Sequence, residues 1–124
     1  MNEPLLVAIG GAIGALLRFK VSSLVNTLVP NALIPYGTLL VNGFGCFLAG
    51  VFAAAFLNSQ VLGIDLKPLV LVGVLGGFTT FSAFGVETIS LVHRGESGVA
   101  VAYVLISLLI GFGAVWLGFK LVSS

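Results

Sequence analysis

Apolar residues fill this chain in long runs, and polar residues interrupt them at only a few points. A helix that crosses a bilayer needs about 20 predominantly apolar residues. Four runs meet that requirement, at residues 4–28, 35–57, 68–92 and 99–121. Pro30 to Pro35 reads as a short loop, Asn58 to Lys67 as the longest one, and His93, Arg94 and Glu96 as part of a third. Pro4 and Pro68 suit the first turns of their runs, where a helical N–H has no partner and proline has none to lose. The pattern predicts an all-α membrane protein of four transmembrane helices. They form a single domain over residues 1–124, without internal repeats and with both termini on one side.

The third run contains a conflict. Gly76-Gly77-Phe78-Thr79-Thr80-Phe81-Ser82-Ala83-Phe84 lies in the middle of an apolar segment from Leu69 to Val92. Paired glycines and paired β-branched threonines are poor helix formers. In lipid, a freed backbone group has no water to bond, so a break persists only where protein, an ion or trapped water satisfies it. A broken third helix is therefore expected, and Phe81 and Phe84 beside the break become candidate functional residues.

Composition narrows the class. Of 124 residues, 59% are hydrophobic and only 7% charged, and the mean hydropathy is +1.24. A soluble domain carries about a quarter charged residues. A net charge of +1 provides no electrostatic basis for a nucleic-acid partner. No glycine-rich nucleotide motif stands between a strand and a helix, and no His-Glu-x-x-His zinc motif is present. The single Cys46 has no His or Cys neighbour and reads as a small buried side chain. The opening Met-Asn-Glu-Pro lacks a basic region and a small-residue cleavage site, so the first helix is expected to be retained. Glu87, His93 and the serines show no triad spacing, which argues against an enzyme.

The remaining polar and small positions supply the other candidates. Gly10, Gly11 and Gly14 form a small-residue face suited to close helix packing. Lys20 reads as a snorkelling interfacial cation. Arg18 lies deeper: it either bonds helix-end carbonyls or guards an aqueous vestibule. Thr38 and Asn42, four residues apart, share a face of the second helix. Asn42 either glues helices together or faces a water-filled path. Glu87 is the only carboxylate well inside a span. Tyr103, Ser107 and Gly111 form a stripe on the fourth helix. Trp116 and Lys120 look like interface anchors.

Cations near helix ends normally orient a membrane protein. Lys67, Lys120 and the amino terminus fall on one side here, and Lys20, Arg94 and the deeper Arg18 on the other. This balance predicts insertion in both orientations and pairing with an inverted copy. A two-fold axis in the membrane plane would bring the two breaks together, with carbonyls freed at Gly76 and Thr79 sharing a cation.

The run Gly-Gly-Phe-Thr-Thr-Phe-Ser-Ala-Phe, the Asn42-Gly43 pair and Arg18-Phe19 after a glycine-rich first helix resemble the small bacterial fluoride channels of the Fluc or CrcB type. The resemblance covers essentially the whole chain. It implies a fluoride-selective channel of the bacterial inner membrane that passively lowers cytoplasmic fluoride and so confers resistance. It implies an antiparallel homodimer in membrane lipid with two pores, each lined by Phe81 and Phe84 from different subunits. It also implies a structural sodium ion (Na+) at the dimer centre, held by main-chain oxygens of Gly76 and Thr79. Asn42 would face fluoride near the phenylalanines. Thr38, Tyr103 and Ser107 would form a polar track, whose next position is Gly111 here where family members often carry a hydroxyl. Thr80 and Ser82 are further donors for a desolvated anion. Two other readings compete. A proton-coupled exporter of the small multidrug-resistance type needs a carboxylate midway along the first helix, where this chain has only Glu3 at the outer end. A non-transporting assembly subunit would be held together by its glycine faces alone.

Overall fold

The computed structural model describes residues 2–56 and 66–123. Within them the protein is all-helical. The elements are α1 (Glu3–Leu28), α2 (Tyr36–Ala55), a π-wound segment (Pro68–Leu75), α3 (Gly76–Phe78), α4 (Ser82–His93) and α5 (Ser97–Ser123). The segment from Pro68 to His93 acts as one apolar span, so four segments are long and apolar enough to cross a membrane. The ends of the spans differ from the sequence expectation by small amounts. α1 begins one residue earlier, and α5 extends two residues further at each end. α2 stops at Ala55, where the N–H of Phe56 closes on the carbonyl of Phe52 at 2.9 Å. Leu57, placed in α2 from the sequence, lies outside the described residues, as do most of the expected loop and Asp65.

The turn between α4 and α5 has a definite cause. Gly95 adopts φ 81°, a left-handed conformation that glycine reaches without a Cβ penalty. Its N–H bonds the carbonyl of Val92 at 3.0 Å, and the N–H of Glu96 bonds that of Leu91 at 2.8 Å. This pair of bonds is the Schellman ending of a helix, and it satisfies carbonyls that the end of α4 would leave open.

Two glycine contacts set how the helices pair. α1 packs on the π-wound segment and α3, and α2 packs on α5. A Cβ at Gly14 would collide with the Val74 carbonyl, and one at Gly118 with the Phe47 carbonyl. Backbones in lipid approach this closely only through small residues, gaining dispersion and dipolar contact in place of a hydrophobic drive. One cluster of the buried core consists of Leu91, Ala100 and Tyr103, flanked by Ile34, Leu39 and Phe84, while Leu6, Val41, Leu75 and Phe78 are buried elsewhere in the bundle. Large apolar side chains such as Leu16, Phe19, Leu109 and Phe112 point outward, as expected where the surroundings are acyl chains. Lys120 lies over the Trp116 ring, 4.7 Å from its centroid. Each thus keeps an apolar body beside a polar tip near the end of α5.

Candidate functional site

The site is built where the third span stops being helical. Thr79, at the end of α3, has φ −82° and ψ 156°, an extended conformation, and helix resumes at Ser82. In a continuous helix each N–H bonds the carbonyl four residues earlier. The Thr79 N–H still bonds the Leu75 carbonyl at 3.0 Å, but beyond it other helices supply some of the partners. Asn42 of α2 bonds Thr80 at two points: its Oδ1 accepts the Thr80 N–H at 2.8 Å, and its Nδ2 donates to the Thr80 carbonyl at 2.9 Å. Arg18 of α1 donates from Nε to the Gly77 carbonyl at 3.0 Å. Thr80 caps the start of α4, its Oγ1 accepting the Ala83 N–H at 3.1 Å. Side chains from two other helices therefore satisfy backbone that lipid would leave unpaired.

These bonds redirect two donors. The Thr80 N–H would serve the Gly76 carbonyl in a helix, and the Ala83 N–H would serve the Thr79 carbonyl. Both are committed elsewhere. The Thr79 hydroxyl and N–H both donate to the Leu75 carbonyl, at 2.9 and 3.0 Å.

Beside the interruption lies a cavity of about 290 Å³. Asn42, Thr79, Thr80, Phe81, Phe84 and Ser107 line it, together with Cys46 and Gly111. The Phe81 and Phe84 rings lie 5.9 Å apart at a tilt of 56°. Phe81 is 83% exposed on the single chain. Phe84 is half-buried and meets the Tyr103 ring at 5.1 Å. Ser107 Oγ is buried and has no hydrogen-bond partner among the described residues. Ser82 Oγ lies 3.4 Å from Thr80 Oγ1.

The structure separates residues that the sequence grouped together. Thr38 and Tyr103 turn away from the cavity and grip Glu87, which accepts from Thr38 Oγ1 at 2.8 Å and from the Tyr103 hydroxyl at 3.0 Å. Tyr103 is fully buried. Of the stripe on α5, only Ser107 and Gly111 reach the cavity wall. Arg18, read from the sequence as bonding helix-end carbonyls or guarding a vestibule, and Glu87, the carboxylate inside a span and a further vestibule candidate, are both bonded inside the bundle, Arg18 to the interruption and Glu87 between α2 and α5. Asn42 combines its two readings, since it joins α2 to the third span and also lines the cavity. Cys46 departs from its expected place in the packed interior: it is half-buried and faces the cavity. Its spacing of four residues from Asn42 puts it on the same helix face, a signal that was present in the sequence.

Four segments long and apolar enough to cross a membrane, three of which line a cavity with both aromatic and hydrogen-bonding walls, define a multi-pass integral membrane protein. The family model described as "CrcB-like protein, Camphor Resistance (CrcB)" matches residues 5–119, and the chain belongs to the CrcB-like family. It is 42% identical over 123 residues to the protein named fluoride-specific ion channel FluC of Methylobacillus flagellatus, covering 99% of this chain and 96% of the relative. A protein of the same name from Rhizobium leguminosarum bv. trifolii is 45% identical over 118 residues, with 95% and 94% covered. One from Thermus thermophilus is 42% identical over 121 residues, with 98% and 95% covered.

Proposed function

We propose that the protein is a fluoride-selective channel that lets the anion leave the cell down its electrochemical gradient. The observation carrying this reading is the cavity itself. It joins the Phe81 and Phe84 rings to Asn42, Thr80 and Ser107, whose buried hydroxyl has no partner among the described residues. Membership in a family whose relatives bear the name fluoride-specific ion channel supports the same conclusion.

The chemistry follows from the walls. An aromatic ring has a negative face and a positive edge, so ring edges meet an anion without a fixed charge. Fluoride is small and strongly hydrated, and replacing its shell requires several short contacts. Asn42 spends one amide hydrogen on the Thr80 carbonyl and keeps a second. Ser107 contributes a hydroxyl that no described residue uses. Arg18 is held at the Gly77 carbonyl and is not among the lining residues. The cavity wall therefore offers several weak donors and no cation, a combination that allows an ion to enter and also to leave. Fluoride entering from acidic surroundings as neutral HF dissociates inside, and a negative interior drives the anion out. No nucleotide is needed.

The working unit in this reading is a homodimer with an inverted copy, in the bacterial inner membrane. Balanced cations on the two sides and the exposed Phe81 ring support it. Rings from two subunits then share each of two pores. The oxygens of Gly76 and Thr79 suit a hard cation, because their helical donors are engaged elsewhere. A sodium ion held there would supply positive charge that ties the two interrupted helices together.

The test is fluoride efflux from liposomes carrying the purified protein, followed with a fluoride electrode, with chloride as the control and no proton gradient. Selective fluoride release is expected. Absence of release, equal chloride release or dependence on a proton gradient refutes the reading. The last result favours the proton-coupled exporter, and the first the assembly subunit.

A further inference from the structure

We infer that Arg18 is a positioning residue: it holds the interruption of the third span in place through the Gly77 carbonyl, and it does not act by drawing anions toward a mouth. In a continuous helix the Phe81 N–H would serve that carbonyl, but Phe81 lies in the interruption. Arg18 Nε takes its place at 3.0 Å, across 59 positions of sequence.

The register of α1 makes this bond possible. Gly11, Gly14 and Arg18 follow one another at three and four residues, so they share a helix face. Gly14 abuts the Val74 carbonyl, and Gly77 abuts Gly11. These contacts fix α1 against the third span and bring Arg18 level with Gly77. A bond from a cationic donor is shorter and stronger than a neutral one. The planar guanidinium also fixes its direction, which a lysine ammonium on a flexible stem does not reproduce.

The interruption is consequently braced at both ends by different helices. Arg18 of α1 holds Gly77, and Asn42 of α2 holds Thr80. Phe78 and Thr79 lie between the two braces. Phe81 follows directly, so its ring direction at the cavity depends on both. Arg18 itself is half-buried and absent from the cavity lining.

The proposal rests on the channel reading, and the experiment separates the two. Wild type and Arg18→Lys are compared as full-length purified protein. Liposome efflux is measured at low and high ionic strength, and backbone hydrogen–deuterium exchange is measured over the peptide containing Thr79–Ala83 and over α2 and α5. A positioning role predicts that Arg18→Lys, despite its charge, loses tenfold or more of the fluoride flux at both ionic strengths. It also predicts a lower fluoride-to-chloride ratio, and faster exchange confined to the interruption. Normal flux and selectivity in Arg18→Lys overturns the proposal, as does a defect that appears only at low salt. Unchanged exchange at the interruption overturns it too, as does an increase spread through α2 and α5, which assigns Arg18 to general stability. Absence of fluoride flux in the wild type removes the channel reading, and the exchange comparison then tests the brace by itself.

Discussion

Replacing Asn42 with alanine removes both of its bonds to Thr80, at 2.8 and 2.9 Å. A part-buried donor and a part-buried acceptor then lose their side-chain partner. Each orphaned group costs about 1–3 kcal/mol when fully buried; partial burial keeps both near the lower end, so the native interruption loses about 2–3 kcal/mol relative to other arrangements. Since about 1.4 kcal/mol is a factor of ten, even the lower end depopulates it more than tenfold. The chain has one escape. The Thr80 N–H can return to the Gly76 carbonyl and rewind the helix, recovering part of the lost stability while turning Phe81 away from its place. Fluoride flux is therefore the deciding measurement, and thermal stability the secondary one. Efflux from liposomes is expected to fall about tenfold or more, whether or not the melting temperature moves. Asn42→Asp is a sharper version. Its carboxylate keeps the acceptor for the Thr80 N–H but sets oxygen against the Thr80 carbonyl and adds negative charge beside the anion path. It should conduct no better than the alanine variant. If Asn42→Ala carries fluoride within about twofold of wild type, the two-point bond is not what holds the conducting geometry.

Four other variants probe different parts of the structure. Ser107→Ala removes a buried hydroxyl that has no partner among the described residues, so stability should hold or rise slightly, by up to about 1 kcal/mol, while fluoride flux falls; unchanged flux would take Ser107 out of the path. Phe81→Ile together with Phe84→Ile removes the ring edges at nearly constant apolar character, and electrode-measured flux should drop at least tenfold in a protein that still elutes as a normal oligomer. Gly14→Leu drives a side chain into the Val74 carbonyl, where a rigid backbone makes overpacking cost about 1–3 kcal/mol or more. It should fail to assemble by size-exclusion chromatography, whereas Gly98→Ala, with nothing within 4 Å, should purify normally.

Much of the architecture was readable from local pattern. A hydrophobic run of membrane length is a property of consecutive residues, so four spans could be drawn from the sequence to within a few positions. The glycine faces were equally local, because absence of a side chain permits close approach whichever helix arrives. Poor helix formers at Gly76–Thr80 marked the stretch whose backbone conformation changes at Thr79. The signature around it carried the family resemblance, and family membership follows from comparison of whole sequences.

The partnerships were decided by tertiary structure. Arg18 had two open readings because a guanidinium on α1 meets whatever α1 packs against, and only the folded pairing brings it to Gly77. Asn42 and Thr80 are 38 residues apart, and no spacing rule connects an amide on one helix to a peptide group on another. Tyr103 and Ser107 looked like one stripe, yet the first turns inward to Glu87 and the second borders the cavity. A helix face takes its meaning from the neighbour on each side of it, and α5 has α4 against one part and α2 against another. The π-winding of Pro68–Leu75 had no evident local signal. The sequence by itself therefore determined how many times the chain crosses and where its backbone is weakest, because those depend on composition over short distances. Which side chains brace the weak point, and which are left free to meet an ion, depended on residues distant in sequence arriving within hydrogen-bonding distance.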